Sequence, residues 1–167
     1  MTKMLYMVTG AFGHLGSQIV KLLLKRGDAV RALMLPGEDD SLLRGLPVEV
    51  VPGDVRDKES LRPFFDVPAN VRIRVIHAAG IVSIAAKVNE NLRRVNVEGT
   101  RNIVELCRER GADRLLYISS VHALPEKPKG TPITEVNAFD SKWVKGAYAK
   151  TKAEASQIVM DAAARGL

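Results

Sequence analysis

The segment Thr9-Gly10-Ala11-Phe12-Gly13-His14-Leu15-Gly16 constrains this chain more than any other. It follows an apolar stretch, Met4 to Val8, that reads as a strand. It opens an amphipathic stretch carrying Ile19, Val20, Leu22, Leu23 and Leu24, which Arg26-Gly27 ends. Three glycines at this spacing let the backbone turn sharply after a strand, let an anion approach the main-chain N–H groups, and let the next helix pack close to the sheet. The positive end of the helix dipole then faces that anion. Strand, glycine-rich bend and helix in this order predict a seat for the diphosphate of a dinucleotide.

The remainder continues the alternation. Strands are predicted at Met4 to Val8, Ala29 to Leu33, Val48 to Val51, Ile73 to His77 and Arg114 to Ser119. Helices are predicted at Leu15 to Arg26, Glu59 to Phe65, Lys87 to Arg110 and Gly146 to Arg165. Short apolar strands between helices imply an α/β fold with a parallel sheet buried on both faces. Right-handed crossovers make it a doubly wound sheet of order 3-2-1-4-5, with ligand at the carboxyl ends of the strands. A length of 167 residues, 46% of them apolar and 26% charged, is expected to form one globular domain.

Composition narrows the partners. No apolar run is long enough to span a bilayer and no basic-then-apolar leader opens the chain, so a cytoplasmic address without a membrane partner is expected. The net charge of +6 is scattered over Arg31, Arg44, Arg56, Arg72, Arg93, Arg101, Arg114 and Lys142, with few aromatics between them. That pattern predicts a solvated surface attractive to anionic cofactors, not a nucleic-acid groove. Cys107, the single cysteine, falls on the apolar face of a predicted helix and is expected to be inert packing. No metal site is expected.

Several motifs fall at the carboxyl ends of strands. In Gly53-Asp54-Val55-Arg56-Asp57, Asp54 is expected to accept from an adenine amino group and Asp57 to cap the helix near Ser60. His77-Ala78-Ala79-Gly80 supplies the small residues that close passage of a cofactor requires, with His77 packed within the sheet's cover. On the long helix, Asn96, Gly99, Thr100, Ile103 and Cys107 lie near one face. Gly99 there is expected to admit another backbone. Asn96 reads either as a brace under the site or as a satisfied buried amide. Tyr148 and Lys152 stand one turn apart on the last helix. A cation beside a phenol lowers its pKa towards the working range, and the Ser120 hydroxyl could hold the same substrate oxygen.

In order, T-G-A-F-G-H-L-G, G-D-V-R-D, H-A-A-G, N-V-E-G-T, Y-I-S-S and Y-A-K-T-K resemble the extended short-chain dehydrogenase/reductase family, with its NAD-dependent epimerase/dehydratase group and dihydroflavonol-reductase-like enzymes. The resemblance spans essentially the whole chain. It implies cofactor contacts from Gly10, Gly13, His14, Leu15, Gly16, Asp54, Val55, Ala78, Ala79, Gly80 and Asn96. It implies Ser120, Tyr148 and Lys152 as the catalytic set, Tyr148 and Lys152 also touching the cofactor. The implied chemistry is hydride exchange between nicotinamide and a substrate carbon while Tyr148 moves the proton.

Departures from the family pattern refine this. Val121-His122-Ala123-Leu124 stands where sugar dehydratases carry an acidic pair, and the aromatic-glycine ending of sugar epimerases is absent. A carbonyl reductase or alcohol dehydrogenase therefore ranks ahead of a nucleotide-sugar epimerase, and both ahead of a dinucleotide-binding redox sensor without chemistry. His122 reads as a substrate contact or a packed loop residue. The choice between NAD and NADP stays open, because Leu35 stands where an acid or an arginine would decide it, with Arg31 or Arg44 as candidate phosphate ligands. The chain stops at Arg165-Gly166-Leu167, where the resemblance calls for a sixth strand and a substrate-binding region. Residues 1–167 are thus expected to be a truncated NAD(P)-binding Rossmann domain with an unpaired fifth-strand edge. It is expected to form a homodimer through the long helix and the Tyr148 helix, and to bind cofactor while turning over little carbonyl, alcohol or sugar substrate.

Overall fold

The computed structural model describes residues 3–84 and 89–167. Its strands are β1 (Lys3–Thr9), β2 (Ala29–Met34), β3 (Glu49–Pro52), β4 (Val71–His77) and β5 (Arg114–Tyr117). Its α-helices are α1 (His14–Lys25), α2 (Arg62–Phe65), α3 (Glu90–Arg93), α4 (Gly99–Glu109) and α5 (Ala147–Ala163). The five strands form one sheet of order β3-β2-β1-β4-β5, all neighbours parallel. β1 is central, pairing from Leu5↔Ala29 on one side and through Thr9↔His77 on the other. Chain order reverses across it, and the carboxyl ends of β1 and β4 therefore open a crevice.

Side-chain alternation sorts the core onto the two faces. Leu5, Met7, Leu33, Ile73 and Val75 join Phe64, Phe65, Ile103, Leu106 and Cys107 in one cluster, whereas Val8, Val30, Ala32 and Ile76 join Val20 and Leu23 in the other. The outer strands depart from the expected burial on both faces. β3 is largely exposed, and β5 alternates, with Leu116 52% exposed, because each has a neighbour on one side alone. β5 also ends at Tyr117, so Ser119 and Ser120 belong to the following segment.

The predicted helix from Lys87 to Arg110 is not one uniform helix. Lys87 and Val88 lie outside the described residues. Asn89 caps α3 by accepting from Leu92 N at 2.7 Å, a wide π-type turn spans Arg94–Glu98, and α4 follows. In an unbroken α-helix Val97 would lie about 140° round from Leu92. The wider turn brings Val97 and Asn96 inward together with Leu92 and Ile103. Gly99 is close not to a backbone, as expected, but to a side chain: a Cβ there would lie 2.9 Å from Val55 Cγ2.

Arg31 is a second correction. It is 9% exposed, not part of a solvated surface. Its Nε and Nη2 each donate to Glu49 at 2.9 Å, and its Nη1 donates at 2.8 Å to the carbonyls of Phe64 and Asp66. Its stem is buried in the strand while its head ties β2 to β3 and to the end of α2, leaving nothing for a phosphate. Cys107 is fully buried as expected, and burial pushes its thiol up to about 12. Among the described residues, no helix is long and apolar enough to cross a membrane.

Candidate coenzyme and active site

The three glycines of the first bend serve different needs. Gly10 has φ +63°, and a Cβ on it would sit 2.6 Å from Ala79 N. A Cβ on Gly16 would sit 2.0 Å from Gly10 O. Packing of the bend on itself and on the end of β4 thus excludes a side chain at both. Gly13 is extended, and a Cβ there would meet Gly10 O alone, at an ordinary 3.4 Å. None of the described residues demands a glycine at 13; the space it leaves clear belongs to the crevice it lines. Gly13 also precedes α1, whose first turn has no side-chain cap and no acid. The leading amides of α1 are therefore open to an anion. His14 and Leu15 begin that turn exposed, and Gly16 is buried beneath it.

The crevice is a cavity of about 340 Å³. Of the residues predicted to touch a cofactor, Gly10, Gly13, Asp54, Val55, Ala78, Ala79 and Gly80 line it; His14, Leu15, Gly16, Asn96, Tyr148 and Lys152 do not. Sequence reading missed Glu38, Ile81, Asn91 and Val95, which also line it. Both Asp54 carboxylate oxygens accept from Arg56 Nε, at 2.8 and 3.0 Å, and the Arg56 guanidinium holds the carboxyl below the usual carboxylate range. Arg56 Nη1 also donates to Asn91 Oδ1 at 2.8 Å, which closes one wall. Asp57 accepts from Glu59 N at 3.0 Å, a local turn contact and not the helix cap expected of it, because Lys58 holds the N-cap position of the turn at Glu59–Leu61. Val55 is fixed by its carbonyl, which accepts from Asn102 Nδ2 at 2.8 Å.

Asn96, 2% exposed, is both a brace and a satisfied amide. Its Oδ1 accepts from Ile81 N at 2.8 Å, and its Nδ2 donates to Ile81 O at 2.9 Å and to Thr151 Oγ1 at 3.1 Å. The segment after β4 is thereby tied to α5. His77 is the packed residue expected. Thr100 Oγ1 donates to Asn96 O, so the network assigns the His77 proton to Nε2, facing Thr100 at 3.0 Å, with Nδ1 accepting from Thr9 Oγ1 at 2.7 Å. Burial, helped by the nearby Lys152 charge, depresses the His77 pKa to about 3.

Past the end of β5, Ser120 Oγ accepts from His122 N at 3.2 Å, which leaves the serine proton free to donate. Tyr148 is half-buried, its ring meeting His122 edge-on at 6.1 Å. Lys152 turns towards β5: Nζ donates to Ile118 O at 2.5 Å and lies 4.3 Å from the centre of the Tyr117 ring, which stacks on His77 at 5.6 Å. The ammonium is 5% exposed at the residue level, and burial lowers its pKa to about 8. Burial likewise raises the Tyr117 phenol above its ordinary value, partly offset by the nearby Thr100 hydroxyl. No group of three or more His, Cys, Asp or Glu side chains among the described residues is placed to hold a metal ion.

Residues 7–167 match the 3-beta hydroxysteroid dehydrogenase/isomerase family. The chain belongs to this family. Over 96% of its length it is 37% identical to sterol demethylase protein B of Methylococcus capsulatus, covering 48% of that protein. It is 33% identical to a putative dihydroflavonol 4-reductase of Synechocystis, over 96% of this chain and 46% of the other. Among solved structures, the Thermus thermophilus UDP-glucose 4-epimerase in complex with NAD superposes with a TM-score of 0.76 at 28% identity, over 96% of this chain and 51% of that one. The chain spans about half the length of the curated relatives it matches.

Proposed function

We propose that this chain is the coenzyme-binding and proton-handling portion of an NAD(P)-dependent oxidoreductase acting on a secondary alcohol or its ketone. The observation that carries the reading is the clear space at Gly13, beside the uncapped start of α1 and at the mouth of a cavity lined by four strand ends. A diphosphate fits there, received by main-chain amides with no competing carboxylate in the first turn. Gly10, Gly13, Ala78, Ala79 and Gly80 present backbone to the coenzyme, Asp54 and Val55 face its adenosine, and Asn96 holds the segment carrying Ile81 in place. The bound coenzyme supplies or accepts the hydride.

The chain's own residues handle the proton. Ser120 donates its free hydrogen to the substrate oxygen and fixes it, and Tyr148 gives or takes the proton at that oxygen. Lys152 is charged below about pH 8, and its ammonium supports the phenolate once it leaves Ile118 O. Relatives named for sterols and steroids make a hydroxysteroid-like alcohol the first substrate class to assay. Nucleotide-sugar epimerisation is the second reading, favoured by the likeness to the Thermus enzyme. Self-association through α4 and α5 completes the proposal.

In the protein carrying its substrate region, Tyr148→Phe is expected to lower turnover by about 10³-fold while coenzyme affinity stays within about two-fold. Unchanged turnover removes Tyr148 from the chemistry, and calorimetry that shows no heat with any nicotinamide coenzyme removes the whole reading.

A further inference from the structure

The strand register lines up Thr9, His77 and Tyr117 across β1, β4 and β5. The function proposed above uses neither ring, although both are ionisable. Burial holds both neutral, depressing the imidazolium to about 3 and pushing the phenol up. His77 is clamped at both nitrogens, by Thr9 Oγ1 at 2.7 Å and Thr100 Oγ1 at 3.0 Å, and it stacks on Tyr117 with the planes 30° apart. Thr9 Oγ1 also accepts from Ala79 N at 3.3 Å, at the wall of the coenzyme cavity. The Tyr117 ring is thus held by the sheet, and the Lys152 ammonium lies 4.3 Å from its centre.

Lys152 is packed without a carboxylate partner among the described residues; its Nζ donates to Ile118 O. The titratable groups around it are His77 from β4, Tyr117 from β5 and Tyr148 from its own helix. His122, from the turn after β5, meets Tyr148. From the Arg94–Glu98 turn and α4, the polar side chains reaching this region are the uncharged Asn96 and Thr100. A π face stabilises a buried cation without setting a negative charge beside it. A carboxylate would hold the ammonium as well, but would cancel its field at the phenol one turn away. Attraction to a ring face is also broad in direction, so release of Ile118 O does not require release of the ring.

Resting on the proton-handling role proposed above, we propose that Tyr117 is a positioning residue of that machinery, its ring face seating the Lys152 ammonium so that it stays charged and unneutralised beside Tyr148. Neutral His77 is part of the seat, because an imidazolium stacked on the same ring would repel the ammonium. Tyr117 does not line the coenzyme cavity and acts through Lys152.

The test separates the ring face from the hydroxyl and from bulk. In the chain itself, Lys152 is titrated by NMR of its ε carbon, the signal being assigned by its loss in Lys152→Met. Tyr117→Leu is expected to lower the Lys152 pKa by about one unit, and Tyr117→Phe to leave it close to the parent value. Fluorinated phenylalanines at position 117 keep the ring's shape while draining charge from its face, and are expected to lower the pKa stepwise. They decide the matter should Tyr117→Leu fail to fold by circular dichroism. In the protein carrying its substrate region, loss of the Lys152 proton ends the support of Tyr148. The alkaline limb of the kcat profile is therefore expected to move down by about the same unit in Tyr117→Leu and to be restored in Tyr117→Phe, with the coenzyme KM within about two-fold throughout. A Lys152 pKa indifferent to fluorination, a profile unmoved by Tyr117→Leu, or one displaced equally by Tyr117→Phe overturns the inference alone. A parent without coenzyme-dependent turnover overturns the proposed function, and this inference with it.

Discussion

The cavity and the three residues proposed for chemistry are built on different terms. The cavity is walled by close backbone contacts, Gly10 against Ala78 and Ala79 and Gly16 against Gly10, with Val55 and Ile81 held by the side chains of Asn102 and Asn96. The three residues are side chains with other partners. Lys152 is docked on Ile118 O and the Tyr117 ring, Ser120 accepts from His122 N, and none of Ser120, Tyr148 and Lys152 lines the cavity. On the function proposed above, binding rests on contacts that the fold has already made, whereas the chemistry asks Lys152 to leave Ile118 O.

Substitutions in the glycine bend should break this contrast most visibly. Gly16→Ala forces a Cβ to 2.0 Å from a carbonyl oxygen and is expected to cost about 4 kcal/mol or more in urea denaturation. Gly13→Ala is expected to cost less than about 1 kcal/mol, yet to weaken coenzyme binding about ten-fold or more. Parent stability for Gly16→Ala, or undiminished coenzyme affinity for Gly13→Ala, would erase the division between a packing glycine and a ligand glycine.

Arg31→Met comes next. It leaves the Phe64 and Asp66 carbonyls without their donor and is expected to cost about 3 kcal/mol, with little effect on coenzyme affinity, because Arg31 does not line the crevice. A loss of coenzyme affinity as large as the loss of stability would show that the cavity depends on the β2–β3 clasp.

For the residues proposed for chemistry the signature is pH dependence. The folded pKa of Lys152, about 8, lies below its ordinary 10.5, so between these values the unfolded chain binds more protons than the folded one. Stability contributed through Lys152 therefore rises with pH across that window, and below pH 8 the full cost of burying the charge is present. The difference in urea stability between parent and Lys152→Met should change by about 2 kcal/mol from pH 7.5 to 10.5. A flat difference would mean the ammonium is hydrated. The smallest effect is at its ring seat: Tyr117→Leu removes the π face and should lower the Lys152 pKa further, with a stability loss of about 1 kcal/mol, and Tyr117→Phe, which keeps the π face, should alter the ammonium's titration least.

What could be read from the chain in advance was whatever depends on neighbours in sequence. The glycine bend, the strand order and the small residues after His77 all announce themselves locally, and the structure places Gly10, Gly13, Asp54, Val55, Ala78, Ala79 and Gly80 around one cavity. Glu38 was hidden because Pro36-Gly37 folds it back to a strand tip that Leu35 occupies in linear order. Arg31 was misread because a strand arginine shows its charge in sequence but not the two carbonyls waiting for it. The direction of Lys152 was equally invisible: helical spacing sets it near Tyr148, while its ammonium is captured by the Tyr117 ring and by Ile118 O just past β5, more than thirty residues away in sequence.

The wide turn at Arg94–Glu98 has a genetic corollary. A π-type turn is an ordinary helical turn carrying one surplus residue, so loss of a single codon there would restore a regular, well-bonded helix. The cylinder would survive such a deletion. Its carboxamide latch would not, since every side chain on one flank would swing by a full helical step and Asn96 would release Ile81 and Thr151 together. Loss of one residue in this stretch would therefore mend the helix while breaking the packing of Val97 and the Asn96 bonds that its present register makes.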